Sequence, residues 1–148
     1  MSCQLRFSAR GFDVDAALPT LTFEPHTINK PGDYVQNPVE TFIVEHPGFT
    51  ATVSEADFDN FEGQLADVTA FVTEHKQSLL TLSKVASRVS FCFDFGLEST
   101  LFSEDVWSES IRFPFQFLLL LAEVEADLEV SYYHPTPDEG EDADEDEE

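Results

Sequence analysis

Positive charge is what this sequence has least of. Seven Lys and Arg stand against 30 Asp and Glu, giving a formal net charge of −23. A protein that grips a phosphate backbone needs clustered bases, so nucleic acid is excluded as a partner. Anionic membrane surfaces are disfavoured for the same reason. Cysteine is nearly as scarce. Cys3 and Cys92 are the only two, with no C-x-x-C spacing. They form neither a disulfide framework nor a thiolate metal site, and they read as buried thiols. Long hydrophobic runs are missing too. The longest, Phe113 to Val124, spans 12 residues and contains Gln116 and Glu123, too short for a bilayer. Met1 to Arg10 lacks the basic stretch followed by an apolar one that marks a signal peptide. A cytoplasmic location is therefore expected.

What is present is phenylalanine. There are 15 Phe beside one Trp, three Tyr and one Met, and apolar residues make up 42% of the chain. That composition predicts an aromatic core, and 148 residues suffice for one domain. The acidity has two sources. Nine of the eleven residues from Asp138 to Glu148 are acidic, which predicts a disordered tail over 134–148. The domain at 1–133 stays acidic without it, and its exterior would attract a basic protein partner.

Hydrophobic periodicity predicts the elements. Cys3, Leu5, Phe7 and Ala9 alternate with polar residues, as in a half-buried strand. Asp13 caps a short helix over Val14 to Leu18. Thr20 to Pro38 reads as a long connection with a turn at Lys30-Pro31-Gly32-Asp33. Val39 to Glu45 and Phe49 to Val53 read as strands joined into a hairpin by His46-Pro47-Gly48. Phe61, Leu65, Val68, Val72, His75, Leu79 and Leu82 fall on one stripe of a single helix, with Ser54, Asp57 and Asp59 as N-cap candidates. Arg88 to Phe95 is a strand with Val89, Phe91, Phe93 and Phe95 on one face, which Gly96 is expected to end. Pro114 opens a helix over Phe115 to Ala126 that is apolar almost all round, so it is buried on more than one side or covers an interface. Leu128, Val130 and Tyr132 mark a last strand. The order β-α-β-β-α-β-α-β predicts a single α+β domain, a mainly antiparallel sheet with helices on one face.

Two groups of residues carry a resemblance. Gly11-Phe12-Asp13-Val14-Asp15-Ala16, Pro25 and Lys30-Pro31-Gly32-Asp33 resemble the front of a small bacterial domain, domain-of-unknown-function family 4279. Phe61-Glu62-Gly63-Gln64, Asp94-Phe95-Gly96, Phe113-Pro114 and Leu128 to Tyr133 are similar to bacterial proteins of that plan, some of them immunity-like. The resemblance spans residues 1 to about 133 and departs in its Lys-Pro-Gly step. It implies the α+β fold, an immunity-like role and no catalytic residues to carry over.

Candidate chemistry is thin. His46 beside Glu45 suits either an acid–base or metal site, as in a small hydrolase-like enzyme, or an ordinary turn. Glu74-His75 lacks the H-E-x-x-H spacing of zinc hydrolases. Asp94-Phe95-Gly96 has none of the companion motifs of a kinase. Glu55, Asp57 and Asp59 alternate as calcium ligands do, but a loop begun there has Asn60 and Ala66 where Gly and Glu are needed. No cofactor and no metal are expected. Trp107, flanked by Glu104, Asp105 and Glu109, is the binding candidate, an aromatic anchor among acids. The competing reading tucks its ring into the core. The expected function is a non-enzymatic interaction domain for a basic protein. The alternatives are a housekeeping protein whose acidity serves solubility, or an enzyme near His46.

Overall fold

The computed structural model describes residues 2–36, 41–99, 105 and 107–133. The expected tail at 134–148 lies outside them. In chain order the elements are β1 (Cys3–Ala9), α1 (Val14–Ala17), a 3-10 turn (Leu18–Thr20), β2 (Thr27–Asn29), β3 (Tyr34–Gln36), β4 (Thr41–Ile43), β5 (Gly48–Ser54), α2 (Phe61–Glu74), α3 (Lys76–Ser83), β6 (Arg88–Glu98), α4 (Phe115–Glu123) and β7 (Asp127–Tyr133). They build a single α+β domain. Five strands form a sheet in the order β2-β5-β1-β6-β7, and β3 pairs with β4 in a separate ribbon. The sheet pairs are antiparallel except β6 with β7, which run parallel across the crossover helix α4.

The alternation in β1 and β6 sorts the sheet into two unlike faces. Leu5 sits opposite Phe93, and Phe7 lies between Phe49 and Phe91. These side chains, with Phe95, are essentially fully buried and meet Val68 and Val72 of α2, Leu79 and Leu82 of α3, and Phe117 and Leu121 of α4. All three longer helices therefore cover one face. Edge-on ring contacts, such as Phe95 against Phe113 at 5.2 Å and Phe7 against Phe91 at 5.6 Å, fill the layer between. Val89 is an exception to its face and lies half exposed at the start of β6. On the opposite face stand Arg6, Ser8, Thr50, Ser90, Asp94, Glu129 and Ser131.

Several expectations need correction. Residues 41–43 and 48–54 do not form a hairpin. β4 turns back onto β3, held by the Gly32 N–H to Val44 O and Val44 N–H to Asp33 O bonds, while β5 inserts between β1 and β2. Gly48 explains part of this. A Cβ there would lie 2.0 Å from the Phe7 carbonyl oxygen, so β5 enters the sheet too close to β1 for any side chain. The connection after Thr20 holds two short strands, β2 and β3. The long helix breaks at His75 (φ −106°, ψ 21°), whose Nδ1 lies 2.8 Å from Thr22 Oγ1 and whose ring sits against Phe23 and Phe71. Its N-cap is Asn60, which accepts the Gly63 N–H, and not Ser54, Asp57 or Asp59. Ser54 instead donates to Asp67. Gly96 does not end β6. It makes room for the Phe58 ring, 2.8 Å from where its Cβ would be. The last helix stops at Glu123, because Glu125 takes a left-handed conformation (φ 57°) and the Ala126 N–H returns to Leu121 O.

Candidate functional site

Two surfaces stand out once the core is assigned. The first is the outward side of α4. A helix of nine residues, FQFLLLLAE, offers apolar groups in nearly every direction. The sheet and α2 take up Phe117 and Leu121, with Val124 just beyond the helix end. Phe115, Leu118, Leu119 and Ala122, at positions i, i+3, i+4 and i+7, share the other side and are exposed, Phe115 to 66% and Leu119 to 57%. Their acidic surround includes Glu123, which receives Lys76, and the exposed Glu125 and Asp127.

Trp107 lies in the irregular segment that leads into α4 and is 96% exposed. The core reading of this ring is thereby corrected. Asp105 is exposed. Glu109 is half-buried and accepts from Ser99 Oγ at 3.1 Å, which ties the segment to the end of β6. Glu104 lies outside the described residues. Of the predicted anchors, Trp107 and Asp105 face solvent and Glu109 has a structural tie. The sequence marks this helix as one that could cover an interface but not which of its residues face outward, because they are indistinguishable by type from their buried neighbours. Gln116 and Glu123, one heptad apart and both exposed, were the available signal for which side faces water.

The second surface is a cavity of about 780 Å³ on the face of the sheet opposite the helices. Its floor comprises Arg6 and Ser8 of β1, Thr50 of β5, Thr27 and Asn29 of β2, and Ser90 of β6. Ile43 to His46 and His26 form the wall. Arg6 donates to Asp94, which is 5% exposed and also accepts from Ser131 Oγ at 2.8 Å. Arg6 Nη1 lies 3.7 Å from Glu129. The guanidinium charge is thus matched within the sheet. His46 Nε2 is 4.0 Å from Glu45 Oε2, whose side chain is 86% exposed, so this pair sits at a rim and not in a closed acid–base arrangement. Among the described residues no three His, Cys, Asp or Glu side chains gather as metal ligands.

The thiols are sealed. Burial pushes Cys3 well above its ordinary range, with Asp94 adding to the effect. Burial also raises Cys92, offset in part by the Ser90 hydrogen bond. Neither has the electropositive, accessible surroundings of a reactive thiolate. No helix among the described residues is long and apolar enough to cross a membrane. Comparison with protein-family models, curated proteins and solved structures returned no match to this chain.

Proposed function

We propose that this chain is a non-enzymatic protein-interaction domain that presents the outer side of α4, with Trp107 as a neighbouring anchor in sequence, to a basic protein partner. The observation that carries the reading is the exposed stripe Phe115, Leu118, Leu119 and Ala122 in a chain of net charge −23. Apolar groups gathered on one side of a helix lose favourable free energy while they face water and regain it when a partner covers them. The charge selects the partner. From Leu97 to Tyr133 Arg112 is the only base against eight acids, so an approaching surface is steered if it is basic and repelled if it is acidic. A second copy of the chain carries the same −23 and is a poor occupant at low salt. The immunity-like role implied by the family 4279 resemblance is one setting for such a surface, with a basic toxin as partner.

The test uses the full chain as bait in an extract of its native host, beside Leu119→Glu and Trp107→Ala. The expected outcome is a basic protein retained by the wild type, released as salt rises, and lost with Leu119→Glu. With that partner purified, Leu119→Glu should weaken binding at least a hundredfold and Trp107→Ala about tenfold or more, the range of an aromatic hot spot. Unchanged retention by Leu119→Glu overturns the reading. So does a salt-insensitive homodimer that depends on Leu119, read by light scattering.

A further inference from the structure

The cavity on the open face is unrelated to α4 and asks for a different occupant. We propose that it binds an uncharged, hydroxyl-rich small molecule, a saccharide of about two rings. Charge narrows the choice first. Arg6 is already matched by Asp94 and Glu129, so the floor offers no spare cation for a phosphate or carboxylate. The acidity of the whole chain also repels anions as they approach. A cation would be drawn in, yet among the described residues Glu45 is the only carboxylate in the lining, and its exposed side chain stands in water. A neutral ligand meets neither obstacle.

Polar chemistry narrows it further. The hydroxyls of Ser8, Thr27 and Thr50 each offer one donor and two acceptors, and the Asn29 amide offers both kinds. None of these four side chains forms a hydrogen bond among the described residues, so their capacity is directed outward. Successive strands set them on a common face: Thr27 pairs with Thr50, Thr50 with Arg6, and Ser8 with Ser90. With strands about 4.8 Å apart, the donors repeat on the scale of hydroxyls around a sugar ring. Sugar hydroxyls both give and accept, as these side chains do. The imidazoles of His26 and His46 and the Ile43 side chain supply the flat and apolar wall that the C–H face of a pyranose needs. A volume of about 780 Å³ lies in the range of small-molecule sites and exceeds a single ring.

Saturation-transfer NMR on the full chain tests this, with maltose, cellobiose, lactose and sucrose as neutral probes. Glucose 6-phosphate and glucosamine serve as charged controls. At least one neutral disaccharide should show transfer, and the charged sugars should show several-fold less. Thr50→Val keeps shape and removes one hydroxyl, and should weaken the bound sugar about fivefold. Thr27→Trp, on an edge strand with an exposed side chain, should fill the space and abolish transfer. Leu119→Glu should leave it unchanged, which separates this site from the α4 surface. Transfer to none of the four disaccharides overturns the proposal, as does equal transfer to the charged sugars. Equal transfer in Thr50→Val and Thr27→Trp, both checked for wild-type circular dichroism, overturns it too.

Discussion

Phe117 and Phe115 are two residues apart on the same helix, yet one is 4% exposed and the other 66%. Leu121 and Leu119 repeat the contrast at 3% and 57%. Identical side chains thus do opposite jobs on the two sides of α4. The inner pair stabilises the fold, and the outer pair faces water among the described residues. Apolar character defines a core only when geometry supplies something to pack against. Phe117→Ala should destabilise by about 3–5 kcal/mol in urea unfolding, and Phe115→Ala by less than about 0.5 kcal/mol. Equal costs would mean that the outer face is covered in the folded monomer.

A second contrast separates the two glycines that meet close neighbours early in their elements. At Gly48 the missing Cβ would strike backbone, the Phe7 carbonyl oxygen at 2.0 Å and Ser8 Cα at 2.8 Å. At Gly63 it would strike only the Asn60 side chain, at 2.5 Å. Backbone in a paired strand cannot swing aside, so Gly48→Ala should cost at least about 2–3 kcal/mol and loosen the β1–β5 pairing. Gly63→Ala should fall within about 1 kcal/mol of wild type. The helix gains up to about 1 kcal/mol in propensity and loses a similar amount from the displaced cap. Thermal melts of the two variants should therefore differ by several degrees.

Next in size is the open face. Asp94 is nearly buried and serves both Arg6 and Ser131. Asp94→Asn keeps its shape and removes its charge. Arg6 remains 42% exposed and can turn to water or Glu129. The cost should therefore be about 1–2 kcal/mol, below that of breaking a fully buried pair. Arg6→Met in that background should add little, and a double-mutant cycle measures the coupling. A cost near 4 kcal/mol would show Arg6 sealed from solvent.

Much of this architecture was legible because strands and helices with one wet side write their period into the sequence. Cys3, Leu5, Phe7 and Ala9 named their face of β1, and Phe91, Phe93 and Phe95 named theirs on β6. Pairing was not legible. Residues 41–43 join β3 because β1 and β2 already take both edges of β5, a tertiary fact with no local signature. The break at His75 was hidden for a similar reason. The 4-3 spacing continues through it, and the Thr22 contact that holds the ring comes from 53 residues away. Trp107 and Asp105 are both exposed, as an anchor requires, whereas the outward stripe on α4 is masked in the sequence by its own uniformity. The cavity arises from a ribbon laid beside a sheet face, and no sequence window contains both.

The smallest effect compares the sheet's faces through one residue type. Cys3 lies on the aromatic side and is fully buried, and burial is the main cause that holds its thiol far above the ordinary value. Cys92 lies on the polar side. Burial raises it too and Glu129 adds to the rise, while the Ser90 hydrogen bond and Arg6 draw it back. A raised folded-state value means that the unfolded chain ionises first. Each thiol's contribution to stability is full below the ordinary thiol range, near 9, and is lost as pH rises beyond it toward the folded-state value. Stability should therefore fall above about pH 9, with a limiting slope of about 1.4 kcal/mol per pH unit from Cys3. Urea midpoints at pH 8, 9 and 10 should show Cys3→Ala losing that slope and Cys92→Ala losing a smaller share. Should Cys92→Ala flatten the profile as much as Cys3→Ala, the polar face is as dry as the aromatic one, and the contrast between them fails.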